Sequence, residues 1–176
     1  MAKKGNSYST KKLAVCAMLS ALGVVMLSLG AVIEVIDISM AVIASLLCII
    51  AVVEYGGSAP WLVYGVTSIL SLILMPQTPA LFYALFFGFY PILKEKFEKR
   101  PRLISWVLKE ITFNASLVLM GLAAIYLVLG PNNSLVNPLY IGIVAALAEL
   151  VFVLYDVALT RLISFYIISL RRRFKF

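Results

Sequence analysis

The chain has 176 residues, of which 63% are hydrophobic and 13% are charged, and its mean hydropathy is +1.05. This composition excludes an ordinary water-soluble globular protein and predicts an integral membrane protein, with room for one helical bundle and no separate soluble domain. The formal net charge of +7 does not indicate nucleic-acid binding, because the basic residues lie in short flanks beside apolar segments.

Six apolar segments follow one another along the chain. A helix needs about 20 residues to cross the hydrocarbon core of a bilayer, and roughly 17 at the least. Three of the segments are shorter than this, and the stretch 61–93 is either one long span interrupted at its Pro-Gln-Thr-Pro sequence or two short spans. The segments are Leu13–Ile33, Ile38–Val53, Trp61–Met75, Pro79–Leu93, Leu103–Leu129 and Pro138–Leu170.

The first segment has small residues at helical spacing. Ala14, Ala17 and Ala21 follow at i, i+3 and i+7, and Gly30 and Ala31 extend the pattern. One side of this helix is therefore almost bare of side chain. In lipid such a side favours contact with another helix, because close backbone approach gains dispersion contacts. The pattern predicts a docking face on the first helix.

The basic residues decide how many times the chain crosses the membrane. They form three clusters, and six helices place all three clusters on one side, as the positive-inside rule requires. A single span over 61–93 would instead export the middle cluster. The sequence therefore predicts an all-α membrane protein, a compact bundle of six transmembrane helices over 13–170, whose basic ends, 1–12 and 171–176, are both cytoplasmic. The clusters are Lys3, Lys4, Lys11 and Lys12; Lys94, Lys96, Lys99, Arg100 and Arg102; and Arg171, Arg172, Arg173 and Lys175.

Under this topology, the three outer loops contain no basic residue and carry acidic and amide side chains. With nearby tyrosines and a carboxyl group inside the sixth segment, they offer the polar groups that a substrate cavity open to the outside needs. Each is also explained without a ligand, because Asn and Pro form turns and Tyr is common at membrane interfaces. The candidate substrate-binding residues are Glu34, Asp37, Gln77, Tyr83, Asn133, Asn137, Tyr140 and Glu149.

Ionisable residues inside the spans are expected to face the bundle interior, because exposing them to lipid is costly. Lys109 and Glu110 lie in the fifth segment, at a depth similar to that of Asp156 and Arg161 in the sixth. The two segments are consecutive, so they are expected to be antiparallel neighbours. The four residues are predicted to form structural ion pairs; the alternative is a proton or ion relay.

Glu149 differs from these four residues, because no basic residue lies at its depth near the middle of the membrane. One interpretation is a carboxyl group, protonated or hydrogen-bonded to Asn114, that holds the fifth and sixth helices together. The other is the floor of a cavity open to the outside. The sequence leaves both interpretations open.

The sequence motifs of common catalytic and metal sites are missing. The chain has no histidine, and Cys16 and Cys48 lie inside apolar segments without CxxC spacing, so neither a metal site nor a disulfide framework is indicated. There is no phosphate-binding loop of the form GxxxxGKS or GxxxxGKT, no HExxH and no GxSxG. We therefore expect no enzyme activity, no cofactor and no bound metal.

The six predicted helices, the cytoplasmic termini and the opening KKLAVCAMLSALGVV of the first segment resemble the substrate-binding S components of energy-coupling factor (ECF) transporters. Those proteins carry an AxxxA pattern on helix one, which Ala17 and Ala21 match. The resemblance implies that helix one docks on a membrane coupling (T) subunit, which two cytoplasmic ATPases drive. It also implies that a vitamin or similar micronutrient is captured from outside, under the loop that contains Glu34 and Asp37.

The resemblance further implies a multi-pass protein of the bacterial cytoplasmic membrane. Its partners would be the coupling subunit, the ATPases, a small-molecule substrate and the lipid bilayer, but no nucleic acid. Two other functions stay open. A non-transporting scaffold of the MreD type needs no polar outer cavity, and a small secondary transporter, coupled to protons through Glu110, Glu149 and Asp156, would transport without partners.

Overall fold

A computed structural model describes residues 6–75, 77–123 and 138–170. In these ranges the chain is helical between short turns and has no β-strand, which confirms the predicted all-α class. The described residues form six helical segments, and a π-helical turn, Tyr83–Phe87, divides the fourth. The α-helices are α1 (Asn6–Val32), α2 (Asp37–Glu54), α3 (Ala59–Leu74), α4 (Thr78–Phe82), α5 (Tyr90–Phe97), α6 (Arg102–Ala123) and α7 (Pro138–Phe165); a second π turn, Tyr166–Leu170, follows α7.

Four of these helices are long and apolar enough to cross a membrane, namely the parts Thr10–Val32 of α1, all of α2 and α6, and Ile141–Ile168. Helix α3 is apolar but shorter, with 16 residues. Large apolar side chains are widely exposed, including Val35 at 93% and Leu103 at 80%. Such a surface is rare on soluble monomers and common on proteins embedded in lipid. The side on which each terminus lies stays a prediction.

Helix α1 packs along one face against α2 and α3. Cys16 shares a buried cluster with Ala51 of α2 and Val63 of α3. Gly23 lies directly against α3, because a Cβ built on it would be 2.9 Å from the Cγ2 atom of Thr67. A residue without a side chain lets the two helices approach here, and close approach is the source of helix association in lipid.

The turn between α2 and α3 depends on two consecutive glycines. Gly56 and Gly57 have φ angles of 55° and 59°, in the left-handed region that residues with a Cβ rarely adopt. The Gly56 N–H donates to the Ala51 carbonyl oxygen at 3.1 Å, which ends α2, and Pro60 stands in the first turn of α3. The stretch 54–60 therefore ends one helix and begins the next.

The doubtful stretch 61–93 contains two helical segments rather than one. Helix α3 ends at Leu74 and the chain resumes a helix at Thr78, after Gln77 in an extended conformation. The Tyr64 hydroxyl, early in α3, donates to the Ala84 carbonyl oxygen at 2.8 Å in the π turn. Its ring also lies 6.1 Å from that of Phe89. Contact between the start of one segment and the later part of the next shows that they run antiparallel.

The chain divides into two compact units, and the boundary falls inside α6, between Ile111 and Thr112. In the second unit, the rings of Phe113 in α6 and Phe152 in α7 stack with 4.3 Å between their centroids. This stack joins α6 to α7 within the second unit. The prediction of a single bundle over 13–170 stays a prediction.

We expect Gly88→Ala to destabilise the first unit. A Cβ at this position would lie 2.6 Å from Cδ2 of Tyr64 and 2.8 Å from Cε1 of Tyr83, two rings that contact each other. The clash should lower the free energy of unfolding by about 1–3 kcal/mol, measured by denaturant titration in mild detergent with circular dichroism. Gly65→Ala is the matched control, since its Cβ meets nothing within 4 Å. Equal stability of the two variants would contradict this packing.

Candidate functional site

The turn between α1 and α2 carries two of the candidate substrate-binding residues. A 3-10 turn, Glu34–Ile36, leads into α2, whose first residue is Asp37. The Asp37 carboxylate is half-buried and accepts a hydrogen bond from the backbone N–H of Ile38. A negative charge at a helix N-terminus is favoured by the helix dipole. The side chain of Glu34 lies outside the described part of the structure.

The turn is packed tightly onto α1 through a glycine. A Cβ on Gly30 would lie 2.9 Å from Cβ of Met40 and 3.3 Å from Cα of Asp37. Because nothing larger than hydrogen fits between these atoms, the start of α2 is held close to the end of α1. The backbone of Asp37 is therefore held close to α1.

The candidates Gln77 and Tyr83 lie in different environments. Gln77 is exposed immediately before α4. Tyr83 is fully buried and belongs to a cluster with Leu27 of α1 and with Ala41 and Ala44 of α2. In this structure Tyr83 is thus a core residue of the first unit, where it joins the π turn to α1 and α2.

Three further candidates are not placed. Asn133 and Asn137 fall outside the described residues, and Tyr140 lies in α7 with a side chain that is not described. Their role in substrate binding stays a prediction.

Glu149 of α7 is hydrogen-bonded to α6. The Nδ2 atom of Asn114 donates to Oε1 of Glu149 at 2.8 Å. The hydrogen bond to Asn114, which the structural interpretation of Glu149 predicts, is therefore present. This hydrogen bond joins the same two helices as the stack of Phe113 on Phe152. It also gives each of the two polar side chains a hydrogen-bond partner, which lipid does not offer.

One of the four predicted ion-pair residues, Lys109, has a partner that the sequence did not suggest. The Nζ atom of Lys109 lies 3.1 Å from Oε1 of Glu98, and Nζ of Lys94 lies 2.8 Å from the same oxygen. Both lysines are buried, and the shared carboxylate joins α5 to α6. Glu98 was missed because it lies outside the predicted spans, although its i+4 spacing from Lys94 is a recognisable signal.

The other three residues of the predicted ion-pair group differ in exposure. Glu110 is half-buried, Asp156 is buried and Arg161 is exposed. The pairing of these residues with one another stays a prediction.

A stripe of hydroxyl groups on α3 was also missed. Tyr64, Thr67, Ser68 and Ser71 follow at i, i+3, i+4 and i+7, and the last three are buried. Hydroxyl residues at helical spacing in an otherwise apolar helix are the signal that would have found them. Their burial makes this the interior face of α3, and Thr67 is the residue that meets Gly23 of α1.

The three alanines of α1 lie on its exposed side. Ala14, Ala17 and Ala21, named here the alanine face, are all exposed. The extension of this face to Gly30 and Ala31 is wrong, because both residues are buried. Nine residues separate Gly30 from Ala21, which is two and a half turns of an α-helix, so Gly30 points to the opposite side.

Among the described residues, no group of three His, Cys, Asp or Glu side chains could hold a metal ion. No protein-family model matches the chain, and neither a curated protein nor a solved structure is significantly similar to it. The class of protein is defined by the fold alone: a helical chain with four helices long and apolar enough to cross a membrane.

We expect a favourable coupling between Asn114 and Glu149. In a double-mutant cycle built from Asn114→Leu and Glu149→Leu, the coupling energy should be about 1 kcal/mol, the size of a hydrogen bond between helices in lipid. The measurement is reversible unfolding of each variant in mild detergent. The cycle of Asn114→Leu with Arg161→Leu, three turns further along α7, is the control and should show no coupling. A coupling of zero in the first cycle would contradict the bond.

Proposed function

We propose that this chain is a substrate-capture subunit of the ECF type in a bacterial cytoplasmic membrane. It would bind a vitamin or similar micronutrient from the outside and dock through α1 on a membrane coupling subunit. The observation that carries the proposal is the orientation of α1. Ala14, Ala17 and Ala21 are exposed, whereas the opposite side of the helix, with Cys16 and Gly23, is packed against its neighbours.

An exposed alanine face is well suited to a second helix. Lipid chains contact small and large apolar side chains equally well, so exposure to lipid does not favour small residues. They do allow the backbone of another helix to approach, and this gain drives helix association in membranes. Met18 and Val25, 69% and 52% exposed, flank the alanines and would pack on the sides of such a helix.

The turn Glu34–Ile36 together with Asp37, named here the capture turn, is packed against the end of the helix that carries the alanine face. The turn at Asp37 follows the C-terminal end of α1 and is held there by the close contact at Gly30. A partner that tilts α1 would therefore move the capture turn as well. In the proposed mechanism, two cytoplasmic ATPases drive the coupling subunit, and the docked chain reorients in the membrane and releases its substrate to the inside.

The two alternative functions, scaffold and proton-coupled transporter, differ from the proposed one in the partners or groups that they require. A scaffold of the MreD type would also use the alanine face, but would bind proteins of cell shape rather than ATPases. A proton-coupled transporter needs a carboxyl group free to exchange protons in the membrane. Glu149 is less suited to this role, because Asn114 donates a hydrogen bond to it.

We expect the paired substitutions Ala17→Trp and Ala21→Trp to abolish partner binding. Two indole rings would keep a partner helix from approaching α1. In a mild-detergent pull-down from the cells that produce the protein, the wild-type chain should recover a membrane coupling protein and two ATPases. The variant should recover at least about tenfold less, which corresponds to about 1.4 kcal/mol.

The matched control is the pair Ala115→Trp and Ala158→Trp, because both alanines are exposed on other helices, α6 and α7. This control should retain the partners. Recovery of cell-shape proteins without an ATPase would support the scaffold instead. Substrate transport by the purified chain alone in vesicles would contradict the proposed division of labour.

A further inference from the structure

The turn that joins α5 to α6 is rich in basic residues, and the neighbouring carboxylates compensate only some of them. Glu95 pairs with Lys99 at 2.7 Å. Glu98 pairs with Lys94 at 2.8 Å and with Lys109 at 3.1 Å. Both carboxylates on this turn are therefore already engaged by lysines.

Three further cations at the turn have no carboxylate in contact within the described ranges of the chain. They are Lys96, Arg100 and Arg102, and all three are exposed. Lys96 lies instead over an aromatic ring, with its Nζ atom 5.6 Å from the ring centroid of Trp61. Since the local acidic residues are occupied, these cations are available to an anion from outside the chain.

Two half-exposed tryptophans flank the same turn. Trp61 at the start of α3 is 40% exposed and Trp106 in the second turn of α6 is 36% exposed. The Nζ atom of Lys109 lies 5.6 Å from the Trp106 ring centroid, which repeats the arrangement of Lys96 on Trp61. Tryptophan is enriched at the level of the lipid headgroups, where its ring meets both apolar chains and polar groups.

An apolar surface continues directly from the cations. Leu103 and Ile104 follow Arg102 in the chain and are 80% and 47% exposed. A ligand that covers this region therefore needs an anionic end and an apolar end. A phospholipid with a net negative charge has both, whereas a water-soluble acidic peptide would leave the two apolar side chains uncovered.

We propose that this turn binds the headgroup of an anionic phospholipid. Arg100 and Arg102 supply guanidinium groups that match the geometry of a phosphate, and Lys96 adds a third positive charge. Trp61 and Trp106 lie beside the headgroup at the top of the acyl chains. This headgroup site does not depend on the proposed transport function, because it is built from α3, α5 and α6 rather than from the alanine face.

The two tryptophans make the site directly measurable, because they are the 2 tryptophans of the whole chain. The full-length protein is reconstituted into vesicles of phosphatidylcholine with one third phosphatidylglycerol. In one preparation the phosphatidylglycerol carries brominated acyl chains, and in the other an equal amount of phosphatidylcholine does. Bromine quenches tryptophan fluorescence only in near contact, and the surface charge of the two preparations is identical.

We expect brominated phosphatidylglycerol to quench the fluorescence more strongly, with a relative affinity about fivefold above that of phosphatidylcholine, the effect of roughly one basic residue near an anionic surface. The double variant of Arg100→Gln and Arg102→Gln should show equal quenching by the two lipids. The charge-matched control, Lys11→Gln with Lys12→Gln in α1, should keep the preference.

Three results would overturn the proposal. Equal quenching of the wild-type protein by both lipids would show that the turn has no preference for an anionic headgroup. An unchanged preference in the arginine variant, with normal helix content by circular dichroism, would place any lipid site elsewhere. Relief of quenching by millimolar inorganic phosphate, but not by sodium chloride of equal ionic strength, would identify a site for free phosphate.

Discussion

Close approach of α1 to its neighbours is the constraint on which the first unit depends. Between apolar helices in lipid there is no hydrophobic driving force, so association depends on how closely the backbones pack. Two glycines provide this approach, Gly23 against Thr67 of α3 and Gly30 against Met40 of α2. Because they face inward, the helical repeat turns Ala17 and Ala21 outward. The orientation of the proposed docking face is thus a consequence of the internal packing.

The helices themselves were largely predictable from the sequence, because long apolar runs, proline and paired glycines are local signals. The start of α3 at Ala59, next to Pro60, and the interruption between α3 and α4 are examples. The faces of the helices were harder to predict. The predicted face was extended from Ala21 to Gly30 because both residues are small, without regard to their angular positions on the helix. The nine residues that separate them correspond to two and a half turns, which places them on opposite sides.

The candidate site was predictable only where two helices are consecutive. Asn114 and Glu149 lie on consecutive segments, and their hydrogen bond is one of the two interpretations that the sequence left open. Tyr83, a candidate for substrate binding, lies in the buried core of the first unit, inside a π turn. Such a turn changes the angular position of the side chains that follow, and no simple sequence pattern announces it. The contact of Glu98 with two lysines was missed for a different reason, because Glu98 lies outside the predicted spans.

The central claim is that the alanine face of α1 meets a helix of another membrane protein. It is tested most directly by photo-cross-linking in intact cells, with a photoreactive phenylalanine analogue in place of Ala17 and, as a control, in place of Leu119, which is 53% exposed on α6. We predict a covalent adduct with one membrane protein from position 17 and none from position 119. Adducts with lipid alone from position 17, or the same protein adduct from both positions, would contradict the account.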